Sequence, residues 1–358
     1  MIIYIEKQAK NYNQTKYILD KFKNSTIIWI DNYKNLFDKK FSWEIENCFI
    51  VAKLNSDAIT DAPEWYGHNN QTSYFFKTSL NCIYNCSYCF LKWAFKNDIP
   101  VYFVNYDDIK KQIVDKIKCA TSLPLGETEW GLTSENDYEL KLKTDLEYKN
   151  KIWFYSSDYS DILWMDNISG FLQEFVPFFE KEIPLLTKEG LGEGSMMEIR
   201  TKSWNIKPIL DLWFVPKNTE FAFSLNPQEL IDKYEDKTSS LGSRIKAINI
   251  LLDKWYKVWL RFLPLLPVKN YREIYTEFVK EISEKIDMKK ISSTFVSWLL
   301  YTKSDYNVML KKYPKLDILY RLQEEKSWFI RENREMRDFF YKLFMELDKK
   351  CFICLDEK

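Results

Sequence analysis

Apolar positions along this chain keep changing period, and each change marks an element. Ile2 to Ile5, Ser25 to Ile30 and Cys48 to Lys53 are short apolar or β-branched runs of strand type. Thr15 to Lys23, between the first two, has helical spacing. These segments predict a small α/β lobe over residues 1–70, ending in a polar loop from Asp57 to Gln71 that holds Pro63 and Gly67. Beyond it, strands are predicted at 71–78, 100–105, 151–155, 197–202, 219–225, 258–266 and 291–300. Helices are predicted at 107–120, 167–179, 206–212, 242–254 and 271–286, with a polar excursion from Ser122 to Asn150. Such alternation predicts a parallel sheet with crossover helices. It repeats about six times, short of the eightfold closed barrel, so an open, partial barrel is expected over 71–302 and a helical extension over 303–358.

A parallel α/β barrel builds its site from the ends of its strands. Ser160, Lys202, Ser224 and Asn226 are polar residues at such ends. Any one of them reads equally well as a turn or cap residue. Their recurrence opposite a cysteine-rich loop is what makes them candidates.

Composition narrows the classes. Lys plus Arg and Asp plus Glu both number 52, so net charge lends no support to a nucleic-acid partner and argues against a dominant phosphate-neutralising surface. Aromatics at 17% must fill a core or line a pocket. Seven cysteines without regular spacing do not read as a disulfide framework. Met1 to Ile5 meets Glu6 and Lys7 too soon for a signal peptide, and no apolar run reaches the ~18 residues of a membrane span. A cytoplasmic protein with no membrane partner is expected.

The chemistry concentrates in Thr78-Ser79-Leu80-Asn81-Cys82-Ile83-Tyr84-Asn85-Cys86-Ser87-Tyr88-Cys89-Phe90-Leu91. A loop from Cys82 to Cys89 can curl so that three thiolates face one point, as a metal centre requires. Three thiolates on a four-iron cubane leave one iron open, and the flanking aromatic and aliphatic residues would limit solvent access. Zinc is the competing metal; Cys48, His68 or Cys119 would be its fourth ligand. The plain alternative is three small buried hydrophobes. A further pair, Cys351 and Cys354, follows the last predicted helix; it reads as a frayed terminus, or else as a redox dithiol or hydrogen donor.

The spacing C-x3-C-x2-C with Tyr88 before the last cysteine resembles the signature of radical S-adenosylmethionine (SAM) enzymes, and further segments resemble one family among them, the spore photoproduct lyases. These are Ser160-Asp161-Ile162-Leu163-Trp164-Met165-Asp166, Arg200-Thr201-Lys202 with Ile209-Leu210-Asp211, Phe223-Ser224-Leu225-Asn226, and Thr238-Ser239-Ser240-Leu241-Gly242-Ser243-Arg244-Ile245. They keep their order along residues 1–315. The resemblance implies a partial (β/α)6 radical SAM barrel with a small N-terminal α/β lobe and a helical C-terminal segment. It implies a [4Fe-4S] cluster on Cys82, Cys86 and Cys89, and SAM contacts at Ser160, Lys202, Ser224 and the backbone near Leu263. The implied reaction is reductive cleavage of SAM to a 5′-deoxyadenosyl radical that takes hydrogen from a substrate, here a DNA photolesion. A one-electron reductant such as a flavodoxin or ferredoxin would feed it. Two positions depart from the family pattern. Asp158 stands where the family has a hydrogen-donating cysteine, and Phe90 where it has a relay tyrosine. The glycine- and arginine-rich segment that grips DNA is not visible in Trp328 to Arg337, whose arginines alternate with glutamates like a solvated helix face. A radical SAM enzyme acting on a peptide or small metabolite, and a non-catalytic zinc-binding protein, are the alternatives.

Overall fold

A computed structural model of the protein describes residues 1–38, 47–63, 66, 72–122, 151–186, 194–324 and 329–353. Within these the chain divides into two compact units. The first takes Met1–Asn81, Asn97–Arg200 and Ile206–Phe221; the second takes Cys82–Lys96, Thr201–Asn205 and the chain from Ala222 onward.

In the first unit, β1 (Ile2–Glu6) lies parallel between β2 (Thr26–Ile30) and β3 (Cys48–Ala52). Every residue of β3 is buried, as befits a central parallel strand covered on both faces. Ile3, Ile5, Phe49 and Val51 pack with Ile18 of the helix Asn13–Lys21 and Met165 of the helix Ile162–Ser169. The strand Val101–Phe103 (β8) does not join the later strands beside which the sequence placed it. It pairs parallel with β3, and Ser79–Leu80 (β6) pairs antiparallel with it. A strand's own residues state that it is buried, but not which neighbour buries it.

A second set of strands in this unit runs β4 (Ile59–Asp61), β5 (Ser73–Phe76), β9 (Ile152–Tyr155) and β10 (Ser195–Thr201). The β5–β9 and β9–β10 pairings are parallel. Their aromatics mesh with those of the following helices: Phe171 and Phe175, one turn apart, stack at 4.5 Å, and Phe76 packs against both. Gly170, at φ +62°, breaks the helix between Ser169 and Phe171; a Cβ there would meet the Tyr17 ring at 3.0 Å.

In the second unit, β13 (Val258–Leu265) pairs parallel with β14 (Ser293–Trp298). Phe262, Phe278 and Phe344 close the core above them. The helices Leu241–Asp253 and Tyr271–Lys285 match their predicted spans within two residues. After residue 302 two helices follow as expected, Lys303–Lys312 and Arg334–Leu347. β15 (Tyr301–Thr302), just before the first of them, forms a small antiparallel sheet with β17 (Phe329–Arg331) and β16 (Gln323–Glu324), which lie between them. The expectation of a solvated arginine face fails here. Arg337 is 2% and Arg331 6% exposed, and Arg337 donates to the Glu332 carbonyl. Arg334 is surface-paired, with Asp338 at 2.8 Å.

Along the chain, strands β5, β9, β10, β11 (Thr219–Ser224), β13 and β14 alternate with helices, which is the succession a partial barrel needs.

Candidate active site

The cysteine loop belongs to the second unit. Asn85–Cys86 (β7) forms a short antiparallel ribbon with Glu235–Asp236 (β12), Glu235 facing Cys86. Ser87 N donates to the Tyr234 carbonyl at 2.9 Å, and Cys89 N donates to the Cys86 carbonyl at 3.1 Å, turning the loop into the short helix Leu91–Ala94. Of the three cysteines, Cys86 is buried and Cys82 and Cys89 are half-buried. Burial pushes the Cys86 thiol up to about 12, with the Lys202 charge opposing it and that of Cys89 adding to it. Among the described residues, no three His, Cys, Asp or Glu side chains are gathered closely enough to hold a metal ion. The donors themselves suit iron: three uncrosslinked thiols on one loop, with a cation at the buried one.

That cation is Lys202, directly after β10. Its Nζ lies 3.7 Å from Cys86 Sγ and 2.8 Å from Glu235 Oε1, and it donates to the Tyr88 hydroxyl. Tyr88 in turn donates to Glu235, which also accepts from Asn226 Nδ2 at 2.9 Å. The other Glu235 oxygen takes Arg244 Nη2 at 2.7 Å. Arg244 is fully buried and uses its remaining donors on the Ser239 carbonyl (3.0 Å), the Ser224 carbonyl (2.7 Å) and Thr238 Oγ1 (2.8 Å). Burial alone would raise the Glu235 carboxyl; Lys202 and Arg244 outweigh it and hold the group well below the ordinary carboxylate range. Burial likewise opposes the Lys202 charge, and Cys86 and Glu235 beside it outweigh that. With Cys86 held as the thiol, Glu235 is the standing counter-charge.

Glu235 was not among the residues expected from the sequence, and Arg244 carried no role there. One signal was available. Leu241, Ile245, Ile248 and Leu252 form the apolar stripe of their helix, and Arg244 lies within it, so its charge needed a buried partner. Of the other expected contacts, Ser224 is buried with its carbonyl on Arg244, and Leu263 lies where the β13 ladder shifts register, between Phe262 and Leu265.

Ser160 belongs to the first unit. Its hydroxyl is buried and meets Ser79 Oγ at 2.5 Å. The Ser156 to Asp161 turn closes β9: Ser156 Oγ donates to the Glu198 carbonyl at 2.9 Å, and Arg200 N donates to Ser157 Oγ at 3.0 Å. Two aspartates of this stretch are structural. Asp161 caps the helix Ile162–Ser169 through Trp164 N (3.0 Å), which starts it five residues before the predicted onset, and Asp166 accepts from Leu172 N (2.6 Å) to seat the next helix. Asp158 is different. Desolvation raises its carboxyl to about 6. Cys48 lies in β3 and Cys119 in the helix Tyr106–Ser122, both in the first unit. His68 and Cys354 fall outside the described residues.

Comparison with known proteins bears on the family and the fold. The family model for spore photoproduct lyase matches residues 146–342. The spore photoproduct lyase of Clostridium acetobutylicum is 24% identical over 321 residues, covering 87% of this chain and 82% of that protein. That of Bacillus subtilis is 22% identical over 336 residues, covering 91% and 85%. A solved spore photoproduct lyase variant with bound AdoMet and dinucleoside spore photoproduct superposes with a TM-score of 0.73 at 18% identity, over 98% of this chain and 97% of that one. At that identity the likeness shows the fold, and it bears out the expected α/β partial barrel.

Proposed function

Since the chain belongs to the spore photoproduct lyase family, we propose that it is a radical SAM enzyme of that type acting on a DNA photolesion. The observation that carries this reading is the cysteine loop of the second unit, three cysteines with a buried cation at the most enclosed one. Cys82, Cys86 and Cys89 would hold a [4Fe-4S] cluster, and Ser160, Lys202, Ser224 and the backbone near Leu263 would contact SAM. When bound, that pair of cofactors supplies a 5′-deoxyadenosyl radical from one electron and one SAM.

The chain's own residues set the conditions. The β7–β12 ribbon fixes the loop backbone, so the thiols start from a held position. Glu235 favours the charge on Lys202, against the burial and the neighbouring Arg244 cation that oppose it. A flavodoxin or ferredoxin is the reductant we assign, in the cytoplasm. No helix among the described residues is long and apolar enough to cross a membrane.

A second reading has one observation in its favour. Asp158 carries no S–H bond, and Phe90 no phenolic hydrogen, so hydrogen return to a thymine radical would need another donor. The second reading keeps radical generation and changes the substrate to a peptide or small metabolite. Anaerobic reconstitution with iron and sulfide separates the possibilities. Iron–sulfur charge-transfer absorbance and 5′-deoxyadenosine on reduction with SAM are expected. Repair of dinucleoside spore photoproduct by the same sample supports the first reading, and 5′-deoxyadenosine without repair supports the second. A protein that takes up zinc and forms no 5′-deoxyadenosine overturns both.

A further inference from the structure

Lys202, Arg244 and Glu235 put two cations against one carboxylate in the interior of the second unit. Buried ion pairs lose much of their Coulombic gain to desolvation, and apolar replacements of similar volume are often as stable. Arg244 already neutralises Glu235 through Oε2 at 2.7 Å, so stability gives no account of Lys202. Its Nζ lies within hydrogen-bond reach of Glu235, Tyr88 and Cys86 Sγ. The surplus positive charge therefore rests on the sulfur of the most enclosed cysteine.

We propose that Lys202 tunes the reduction potential of the cluster through Cys86, as an N–H···S donor and as a fixed charge, with Glu235 as the positioning residue that holds it there. The proposal rests on the reading of Cys82, Cys86 and Cys89 as cluster ligands. Reduction adds one electron to a group already made negative by its thiolates. A cation within hydrogen-bond reach of a ligand sulfur stabilises the reduced form more than the oxidised one and raises the potential. Glu235 pulls the other way as a charge, while its bond to Lys202 keeps the ammonium on the sulfur. The charge of Glu235 and its hold on Lys202 therefore act on the potential with opposite signs.

The test is an EPR-monitored redox titration of reconstituted protein without SAM or substrate, with iron content and SAM affinity measured on the same samples. K202M is expected to move the midpoint to more negative potential at normal iron content. K202Q, which keeps an N–H donor without the charge, is expected to fall between K202M and the wild type. E235D, which keeps the carboxylate charge but shortens its reach to Lys202, is expected to move it in the direction of K202M, as a positioning role requires. Should E235D fail to fold, K202M and K202Q decide alone. An unchanged midpoint in iron-loaded K202M overturns the proposal, and a fall in SAM affinity in that sample would make Lys202 a cofactor contact only. A wild-type protein that takes up no iron is a distinct result, because it removes the cluster reading itself.

Discussion

Glu235 and Asp158 are carboxylates withdrawn from water in different units, and their surroundings drive them in opposite directions. Glu235 sits between a lysine and an arginine, so burial loses to charge and the group stays ionised at any ordinary pH. Asp158 is governed by desolvation, and its proton leaves only at about 6. The second unit thus holds fixed charges, which set fields, while the turn after β9 holds an exchangeable proton. A carboxyl of that kind moves protons, whereas a cysteine in the same place would move hydrogen atoms.

The largest effect expected is all-or-none. Cys82→Ala, Cys86→Ala and Cys89→Ala should each lose iron after reconstitution, while Cys48→Ala and Cys119→Ala keep it. Equal loss in Cys119→Ala would favour a four-cysteine site and take the metal out of the second unit's sole charge.

Next comes the ion network. Glu235→Gln leaves Lys202 and Arg244 buried without a counter-ion and should cost ~3–5 kcal/mol in urea unfolding at pH 7. Asp158→Asn should be neutral or stabilising under the same conditions, since it removes a carboxylate that burial disfavours. A Glu235→Gln variant as stable as the wild type would erase the contrast between the two acids.

Much of this architecture was legible in the sequence, because it is written in local periodicity. The strands at 152–155 and 258–265 and the helices at 241–253 and 271–285 lie within two residues of their predicted spans. The cysteine loop stood out as a candidate for the same reason, because its spacing is local. What escaped depends on distant partners. Glu235 meets Tyr88 across 147 positions and Lys202 across 33, and no local pattern records either. Arg337 escaped differently: it shares a helix face with Phe340 and Phe344, but its alternation with glutamates drew more attention than that spacing. The pairing of β8 with β3 shows the same limit for strands.

Lys202→Ala should weaken SAM binding by ~1.5–3 kcal/mol, the scale of a lost charge-assisted hydrogen bond, with normal iron content. Equilibrium dialysis with labelled SAM measures it. Unchanged affinity in a loaded sample would leave Lys202 acting on the sulfur alone.

The two acids should also separate by pH. Asp158's folded value lies above its unfolded one, so the folded state holds its proton more tightly and stability falls as pH rises from about 4 to 6. Glu235's folded value lies below its unfolded one, so its contribution is present above about 4.5 and is lost as pH falls. Asp158→Asn should flatten the unfolding free energy between about pH 4 and 6, leaving the acid limb in place. An unaltered slope in that window would mean Asp158 is solvated after all.

The smallest effect is expected at the C-terminus. Phe352–Ile353 (β18) pairs parallel with β14, Phe295 opposite Phe352, so the chain there is seated and not frayed as its sequence suggested. Cys351 lies just before this strand; its N donates to the Asp348 carbonyl at 3.0 Å, and burial pushes its thiol up to about 12. A thiol so placed fills the sheet edge, and it is a poor candidate for a redox dithiol, which needs an accessible thiolate. Deleting residues 350–358 removes a two-residue ladder and two partly buried side chains, a loss of about 1 kcal/mol on the scale of apolar burial. Iron content and 5′-deoxyadenosine formation should survive it. The bared edge of β14 is expected to make the truncated protein more prone to associate, which light scattering would register. If 5′-deoxyadenosine formed but product did not, the tail would act after radical generation. Cys351 and Cys354 would then be the hydrogen donors that Asp158 cannot be.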